Sequence, residues 1–459
     1  MTERRLERIF IANRGEIAKR IIRTCRKLGI ETVLAVSECD RASWAAMMAD
    51  TTICIGPSTP ARSYLDIPRL IAAATAAECD ALHPGYGFLA ERADLARACV
   101  SAGLVFIGPS ANVLEVFGNK VTSRTVARAA GVPVLPGSEA IRTGDAAGAV
   151  AEQIGFPVLI KAVAGGGGKG IRMVATPAVL SEQFAIAQRE ADATFGNGRV
   201  YLERYVGQAR HVEVQVVGAS NGNYIHLGDR DCTIQRNHQK LLEEAPAPGI
   251  PDGVRERLHD VALNLARYAK IDNLATVEFL YDTESDEFYF LEVNPRIQVE
   301  HGVTEMITGV DLVEIQLQAA MGEFALAQID IRYDGHAIEA RVNAEDPKNN
   351  FRPSPGRLTR WREPTAPHIR VDSHCYVGYD VPPYYDSLLA KVMAHASDRL
   401  TAAARLSSAL RRMEIDGVET TRALASSIID STTFQSCRHT TTWLQDLVLS
   451  ATVDSLSRF

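Results

Sequence analysis

No window of this 459-residue sequence approaches the run of about 18 uninterrupted apolar residues that a membrane-spanning helix needs. No signal-peptide or transit-peptide pattern precedes the strand-like Ile9-Phe10-Ile11-Ala12. Cys-x-x-Cys pairs are absent: the eight cysteines, Cys25, Cys39, Cys54, Cys79, Cys99, Cys232, Cys375 and Cys437, are scattered. That argues against a zinc site and a disulfide framework, and for reduced, mostly packed thiols in a cytoplasmic protein. No basic block offsets the net charge of -7, so neither nucleic acid nor a membrane surface is an expected partner. The first strand-to-helix turn, Asn13-Arg14-Gly15-Glu16, lacks the Gly-x-Gly-x-x-Gly fingerprint, which removes a nicotinamide dehydrogenase. Repeats and low-complexity segments are also missing.

What is present is apolar residue, 46% of the chain, enough for a large core and too much for a single one; two or three domains are expected. Residues up to about 107 alternate short apolar runs with helical patterns (Ile9–Ala12, Gly15–Leu28, Glu31–Val36, Ile67–Ala77, Ala81–His83, Ala93–Ser101, Val105–Ile107), a βαβ rhythm that predicts a parallel sheet. Gly29 stands where the first helix needs a C-terminal cap. Beyond Lys120 the pattern predicts a helix to Ala130, the turn Gly131-Val132-Pro133, a helix to about Ile154 and a strand Val158–Lys161. Strands are then expected at Val200–Tyr205, His211–Gly218, Asn223–Leu227, Leu274–Tyr281 and Phe288–Asn294. His211-Val212-Glu213-Val214-Gln215-Val216 alternates strictly, as in an antiparallel sheet with one wet or ligand-facing side. A third region after Ile331 opens with a strand at His336–Asn343 and ends in helices near Asp398–Arg412 and Thr421–Ile429.

Three stretches carry chemistry. Lys161 closes a strand and is followed by Gly165-Gly166-Gly167-Gly168-Lys169-Gly170 and a returning strand, Ile171–Val174. A glycine hairpin of this kind can fold its backbone N–H groups over a polyphosphate, although a ligand-free surface hairpin would show the same pattern. It is not a P-loop, which needs Gly-Lys-[Ser/Thr] opening a helix. Glu292 and Asn294 share a strand face, and a neighbouring strand could bring Glu278 beside them. Three oxygen donors suit magnesium on ATP phosphates; a pair of exposed carboxylates on a sheet edge is the plainer alternative. In Arg296-Ile297-Gln298-Val299-Glu300-His301, an arginine, a glutamine, a backbone amide and a carboxylate can hold a small planar anion such as bicarbonate and deprotonate it. The run Arg230–Lys240 is too polar to be read as core and is expected at an anion or nucleotide site.

These motifs, in this order, resemble the biotin carboxylases over essentially the whole chain: Ile11–Ala18, His83-Pro84-Gly85-Tyr86-Gly87-Phe88-Leu89, Arg230–Lys240, Glu243–Gly249, Arg296–His301, Arg341–Pro347 and Pro382–Ser387. The resemblance implies an α/β and α+β chain with an ATP-grasp fold. A Rossmann-like N-terminal domain (1–115), an ATP-grasp domain (116–330, with a mobile lid at about 132–204) and a biotin carboxylase C-terminal domain (331–459) follow from it. It implies a ligase that forms a carbon–nitrogen bond, using ATP, Mg2+ (or Mn2+) and bicarbonate to carboxylate carrier-bound biotin. Position by position, it places Lys120, Lys161, Gly167, Gly168, Glu203, Arg204, Val206, His211 and His238 around ATP, with Glu278, Glu292 and Asn294 on the metals. Lys240, Arg296, Gln298 and Val299 go to bicarbonate, Glu300 becomes the base, Arg341 stabilises the biotin enolate and Tyr86 frames the biotin pocket. Arg204, Ala164 and Gly302 depart from the commoner family pattern without removing a needed group. No Ala-Met-Lys-Met tetrapeptide occurs, so the carrier is expected on a separate chain, alongside a carboxyltransferase; a homodimer is implied. Another ATP-grasp ligase, or a regulatory protein without activity, need not retain Arg296, Glu300 and Arg341 together.

Overall fold

The computed structural model describes residues 6–141, 143–164, 170–237, 239–322 and 326–447. Gly167, Gly168 and His238 therefore lie outside the described residues.

The expected parallel sheet is present. Strands β1 (Arg8–Ile11), β2 (Glu31–Ser37), β3 (Thr51–Gly56), β4 (Ala81–His83) and β5 (Val105–Phe106) lie in the order β3-β2-β1-β4-β5, all parallel. Phe10 and Ile11 of β1 are fully buried, each in a different apolar cluster, as a central parallel strand covered on both faces requires. Helix Gly15–Leu28 ends at Gly29, whose φ of 71° is left-handed and whose N–H returns to the carbonyls of Cys25 and Arg26. The second predicted helix beyond Lys120 starts later than the sequence pattern implied, at Gly144, where the Thr143 side chain accepts from Ala146 N. Strands β6 (Val158–Ala162), β7 (Ile171–Val174) and β8 (Val200–Arg204) form a small antiparallel sheet with β6 central, packed on helix Leu180–Phe195.

The largest element is an eight-stranded antiparallel sheet. It contains β9 (Ala209–Gly218), β10 (Tyr224–Arg236), β11 (Gln239–Ala245), β12 (Leu274–Asp282), β13 (Glu287–Asn294) and β14 (His336–Asn343), then strands Leu388–Ala396 and Ile369–Ser373. Their spatial order is β13-β12-β9-β10-β11-β14, followed by 388–396 and 369–373. The sheet thus runs without a break across Ile331, joining the central region to the last one. Helix Asp252–Tyr268 packs an apolar face on β9 and β12, and helices Arg399–Arg412 and Arg422–Asp430 cover β14 and 388–396.

Arg230–Lys240 departs from the expectation that so polar a run stays out of the core. Strand β10 continues from Tyr224 to Arg236, and Arg230, Asp231, Cys232 and Thr233 are all buried. Arg230 is 0% exposed and survives because its guanidinium is saturated. It donates to Glu213, to Gln215 Oε1 (2.8 Å), Thr304 Oγ1 (3.0 Å), Thr276 Oγ1 (3.2 Å) and Gln298 Oε1 (2.8 Å). A buried charge is tolerated only when paired in this way; removing one side of such a pair costs roughly 3–5 kcal/mol.

Candidate active site

The alternation read in 211–216 places His211, Glu213 and Gln215 on one face of β9, and β12 lays Glu278 directly across from Glu213. That face is not wet; Glu213 and Gln215 are 0% exposed. On the other side of β12, Glu278 and Glu292 are direct cross-strand partners, with Thr276 opposite Asn294. The sheet therefore brings together the three predicted metal donors. Asn294 Nδ2 donates to Glu278 Oε1 at 2.9 Å. Glu292 has no side-chain partner among the described residues, and burial together with the facing Glu278 raises its pKa above the ordinary carboxylate value. Two neighbouring carboxylates with an excess of negative charge are what a divalent cation would neutralise, so the donor set fits magnesium.

Lys240, at the start of β11, links the groups of the site. Its Nζ lies 2.7 Å from Glu213 Oε2, 3.0 Å from Glu278 Oε1 and 2.5 Å from Glu300 Oε1. Burial opposes the ammonium charge, but the surrounding acidic groups hold the Lys240 pKa well above its usual value. Glu300 caps helix His301–Thr308 and is 2% exposed; its second oxygen accepts from Arg341 at 2.9 Å. Burial would raise the Glu300 pKa, yet Lys240, Arg341 and Arg230 pull it well below the carboxylate range, so the group is ionised at neutral pH. Glu278 is also held well below that range, by Lys240 and His211 against burial, with His211 Nε2 3.0 Å away.

The remaining predicted residues divide. Gln298 is locked, accepting from Arg230 and donating to Glu278 Oε1 at 2.9 Å. The Val299 carbonyl accepts from Lys391 at 2.8 Å. Arg296 turns from Glu300 toward Glu91 Oε1 (2.5 Å) and Asn294 Oδ1 (3.3 Å). Lys161 and Arg124 both pair with the buried Glu203, tying β6 and β8 to helix Lys120–Ala129. Lys120 is exposed at that helix's start, close enough to Glu292 and Lys161 to bear on both charges. Arg204 is exposed, Val206 is buried, and Tyr86 donates its hydroxyl to Glu16. Sequence reasoning missed Glu213, Arg230 and Glu243, the partners that orient Lys240, Gln298 and Arg341. The strict alternation around Glu213 was a usable signal for the first. Gly302, one of the departures, has a packing reason: a Cβ there would sit 2.4 Å from Met393 Sδ.

Comparison with known proteins accounts for the whole arrangement. Residues 5–114 match the profile "Biotin carboxylase, N-terminal domain", 119–328 match "Carbamoyl-phosphate synthase L chain, ATP binding domain", and 339–446 match "Biotin carboxylase C-terminal domain". The chain is 47% identical over 442 residues to Biotin carboxylase 1 of Bacillus subtilis, covering 96% of this chain and 98% of that protein. It is 48% identical to the Haemophilus influenzae biotin carboxylase, over 94% of this chain and 96% of that one. The crystal structure of a Campylobacter jejuni biotin carboxylase β-γ-ATP complex superposes with a TM-score of 0.92 at 42% identity, covering 96% and 99% of the two chains. The biotin carboxylase domain dimer of Hydrogenobacter thermophilus 2-oxoglutarate carboxylase, with MgADP, ADP and bicarbonate, superposes at 0.90 and 42%, covering 96% and 98%. With identity this high over nearly the full length, and a buried Lys240–Glu300–Arg341 centre on an ATP-grasp scaffold, the chain belongs to the biotin carboxylase family.

Proposed function

We propose that the Lys240–Glu300–Arg341 centre carries out the reaction of this ATP-dependent ligase, the carboxylation of biotin with ATP and bicarbonate through carboxyphosphate. The observation that supports it most is Glu300 itself: an ionised, buried carboxylate with one oxygen on Lys240 and the other on Arg341. A small anion entering beside these cations competes for them, and each cation that shifts from Glu300 to substrate raises the basicity of Glu300. Glu300 then takes the bicarbonate proton, and the carbonate oxygen attacks the γ-phosphorus of ATP. Glu278, Glu292 and Asn294 would hold magnesium, which neutralises phosphate charge when bound.

Lys120 and Lys161 supply further positive charge toward the phosphates, while Glu203, Arg204, Val206 and His211 lie along the proposed nucleotide side. Arg296 is free to exchange its half-exposed partner Glu91 for bicarbonate. Carboxyphosphate breaks down to carbon dioxide and phosphate. Phosphate accepts the ureido proton, and Arg341 stabilises the biotin enolate that captures carbon dioxide, with Tyr86 at the pocket edge. The three-part division 1–115, 116–330 and 331–459 is kept as functional organisation, with Glu300 from the central part meeting Arg341 from the last.

Relatives include a pyruvate carboxylase component of Methanothermobacter thermautotrophicus that is a chain of its own, 45% identical to this one. We therefore assign the carrier and the carboxyltransferase to partner polypeptides, and a homodimer to this chain. Its site of action is taken to be the cytoplasm, where ATP is supplied. No described helix is long and apolar enough to cross a membrane. The deciding experiment is ATP hydrolysis measured with and without bicarbonate and free biotin. Hydrolysis that ignores bicarbonate, or that never transfers carboxylate to biotin, overturns the assignment.

A further inference from the structure

Glu339 and Arg341 are two residues apart on β14 and share its face. Glu339 is the direct cross-strand partner of Glu243 on β11 and of Met393 on strand 388–396. Both glutamates are buried, 0% and 1% exposed. Glu243 Oε1 accepts from Arg341 Nε at 2.6 Å, but Glu243 Oε2 and both oxygens of Glu339 have no hydrogen-bond partner among the described residues. Helix His301–Thr308 closes over them, so that a Cβ on Gly302 would reach to 3.3 Å from Glu339 Oε2. Three unpartnered carboxyl oxygens thus share one buried place. Two ionised carboxylates side by side in such surroundings repel strongly unless cations intervene.

The nearby cations are otherwise engaged. Lys240 on β11 serves Glu213, Glu278 and Glu300. Arg230 on β10 is spent on Glu213 and neutral groups, and Arg370 on strand 369–373 pairs with Asp372 and Glu305. Lys391 on strand 388–396 contacts the Val299 carbonyl and lies 3.3 Å from Glu16 of helix Gly15–Leu28. His301, on the covering helix, is held neutral by burial and by the surrounding Lys391, Arg20 and Arg370. Among the described residues only Arg341 touches the pair, and it is shared with Glu300. In line with this, burial pushes Glu339 well above the usual carboxylate value and Glu243 up to about 7.

We propose that Glu339 and Glu243 hold one proton between them at neutral pH, and that Glu339 is thereby a positioning residue that keeps Arg341 electropositive enough to stabilise the biotin enolate. With the proton on Glu339, Arg341 faces two carboxylates, Glu243 and Glu300. Loss of that proton adds a third negative charge behind the guanidinium and weakens its pull on the developing enolate oxygen. The second half of this inference rests on the role assigned to Arg341 above, whereas the shared proton does not.

The test compares wild type with Glu339→Gln, which mimics the protonated pair, and Glu243→Gln, which also leaves one carboxyl. Infrared difference spectra of wild type at neutral pH should contain a protonated-carboxyl carbonyl band that disappears in Glu339→Gln. In wild type, kcat/KM for biotin should fall at alkaline pH, about tenfold per pH unit, in step with loss of that band. Glu339→Gln should lack this limb, while its bicarbonate-dependent ATP hydrolysis without biotin follows the wild-type pH profile. Absence of a protonated carboxyl in wild type overturns the shared proton. A band present with identical biotin profiles in wild type and Glu339→Gln overturns the coupling to Arg341. If Arg341→Lys leaves biotin kinetics unchanged, the role of Arg341 itself fails, and the infrared band still judges the pair. Should both glutamine variants fail to fold, the wild-type infrared titration against the biotin limb decides alone.

Discussion

Replacing Glu300 by glutamine keeps the side-chain shape and removes one negative charge. In the wild type, one Glu300 oxygen accepts from Lys240 at 2.5 Å and the other from Arg341 at 2.9 Å. An amide has a single acceptor oxygen, so only one of the two cations keeps a partner at this position. Neither is stranded: Lys240 retains Glu213 and Glu278, and Arg341 retains Glu243. The folding penalty is therefore about 1–3 kcal/mol, the scale of one lost charge-assisted hydrogen bond, and the variant stays folded. Catalysis should suffer more. Loss of a general base costs about 10²–10⁴-fold, equivalent to roughly 3–5 kcal/mol of transition-state stabilisation. The assay is bicarbonate-dependent ADP release by the purified Glu300→Gln chain, with ATP binding and thermal unfolding measured alongside. ATP affinity should hardly change, because Glu300 makes its contacts to Lys240 and Arg341 rather than to the Lys161 and Glu292 side. Turnover within a few-fold of wild type in a folded variant would refute the role of base.

Glu292→Gln should raise the magnesium concentration needed for half-maximal activity and lower kcat, because it removes the carboxylate of the Glu278–Glu292 pair that has no side-chain partner among the described residues; an unchanged magnesium titration counts against it. Gly302→Ala should lose about 1–3 kcal/mol through the 2.4 Å approach to Met393 Sδ, and Met393→Ala in the same chain should restore much of it; urea midpoints of the single and double variants decide. Burial holds His83 and His374 down to about 3 and His226 to about 4, aided by Arg20, Arg14 and His259 respectively, so all three stay neutral in the fold. The unfolded chain protonates them near pH 6.5, so their stabilising contribution is present above that value and is lost as pH falls toward 4, by roughly 1.4 kcal/mol per histidine per pH unit. His211, raised in the fold because Glu278 outweighs burial, opposes one of them. Urea unfolding at pH 7 and 5 should show the loss, and equal midpoints would contradict it.

The sequence by itself determined much of this protein. Apolar runs alternating with helical periodicity led to the parallel sheet, and Gly29 marked a helix end because only glycine enters the left-handed region at little cost. Identical strand faces for Glu292 and Asn294 followed from the two-residue period, and the order and content of the long motifs pointed to the family. What no local pattern could tell was the fate of charge. Arg230 looked like a surface residue because an isolated guanidinium has no place in a core. It is buried because Glu213, 17 residues before it, and Thr276, Gln298 and Thr304, 46, 68 and 74 residues after it, converge on its nitrogens. The same holds for Glu243 and Glu339, placed side by side by the pairing of β11 with β14 across nearly a hundred residues. Strand pairing alone decides which charges meet, and a pair's energy depends on a separation and a burial that exist only once the sheet has formed. Composition and motif named the groups that do the chemistry; tertiary structure decided which of them are ionised, which are held, and which are left facing one another without a partner.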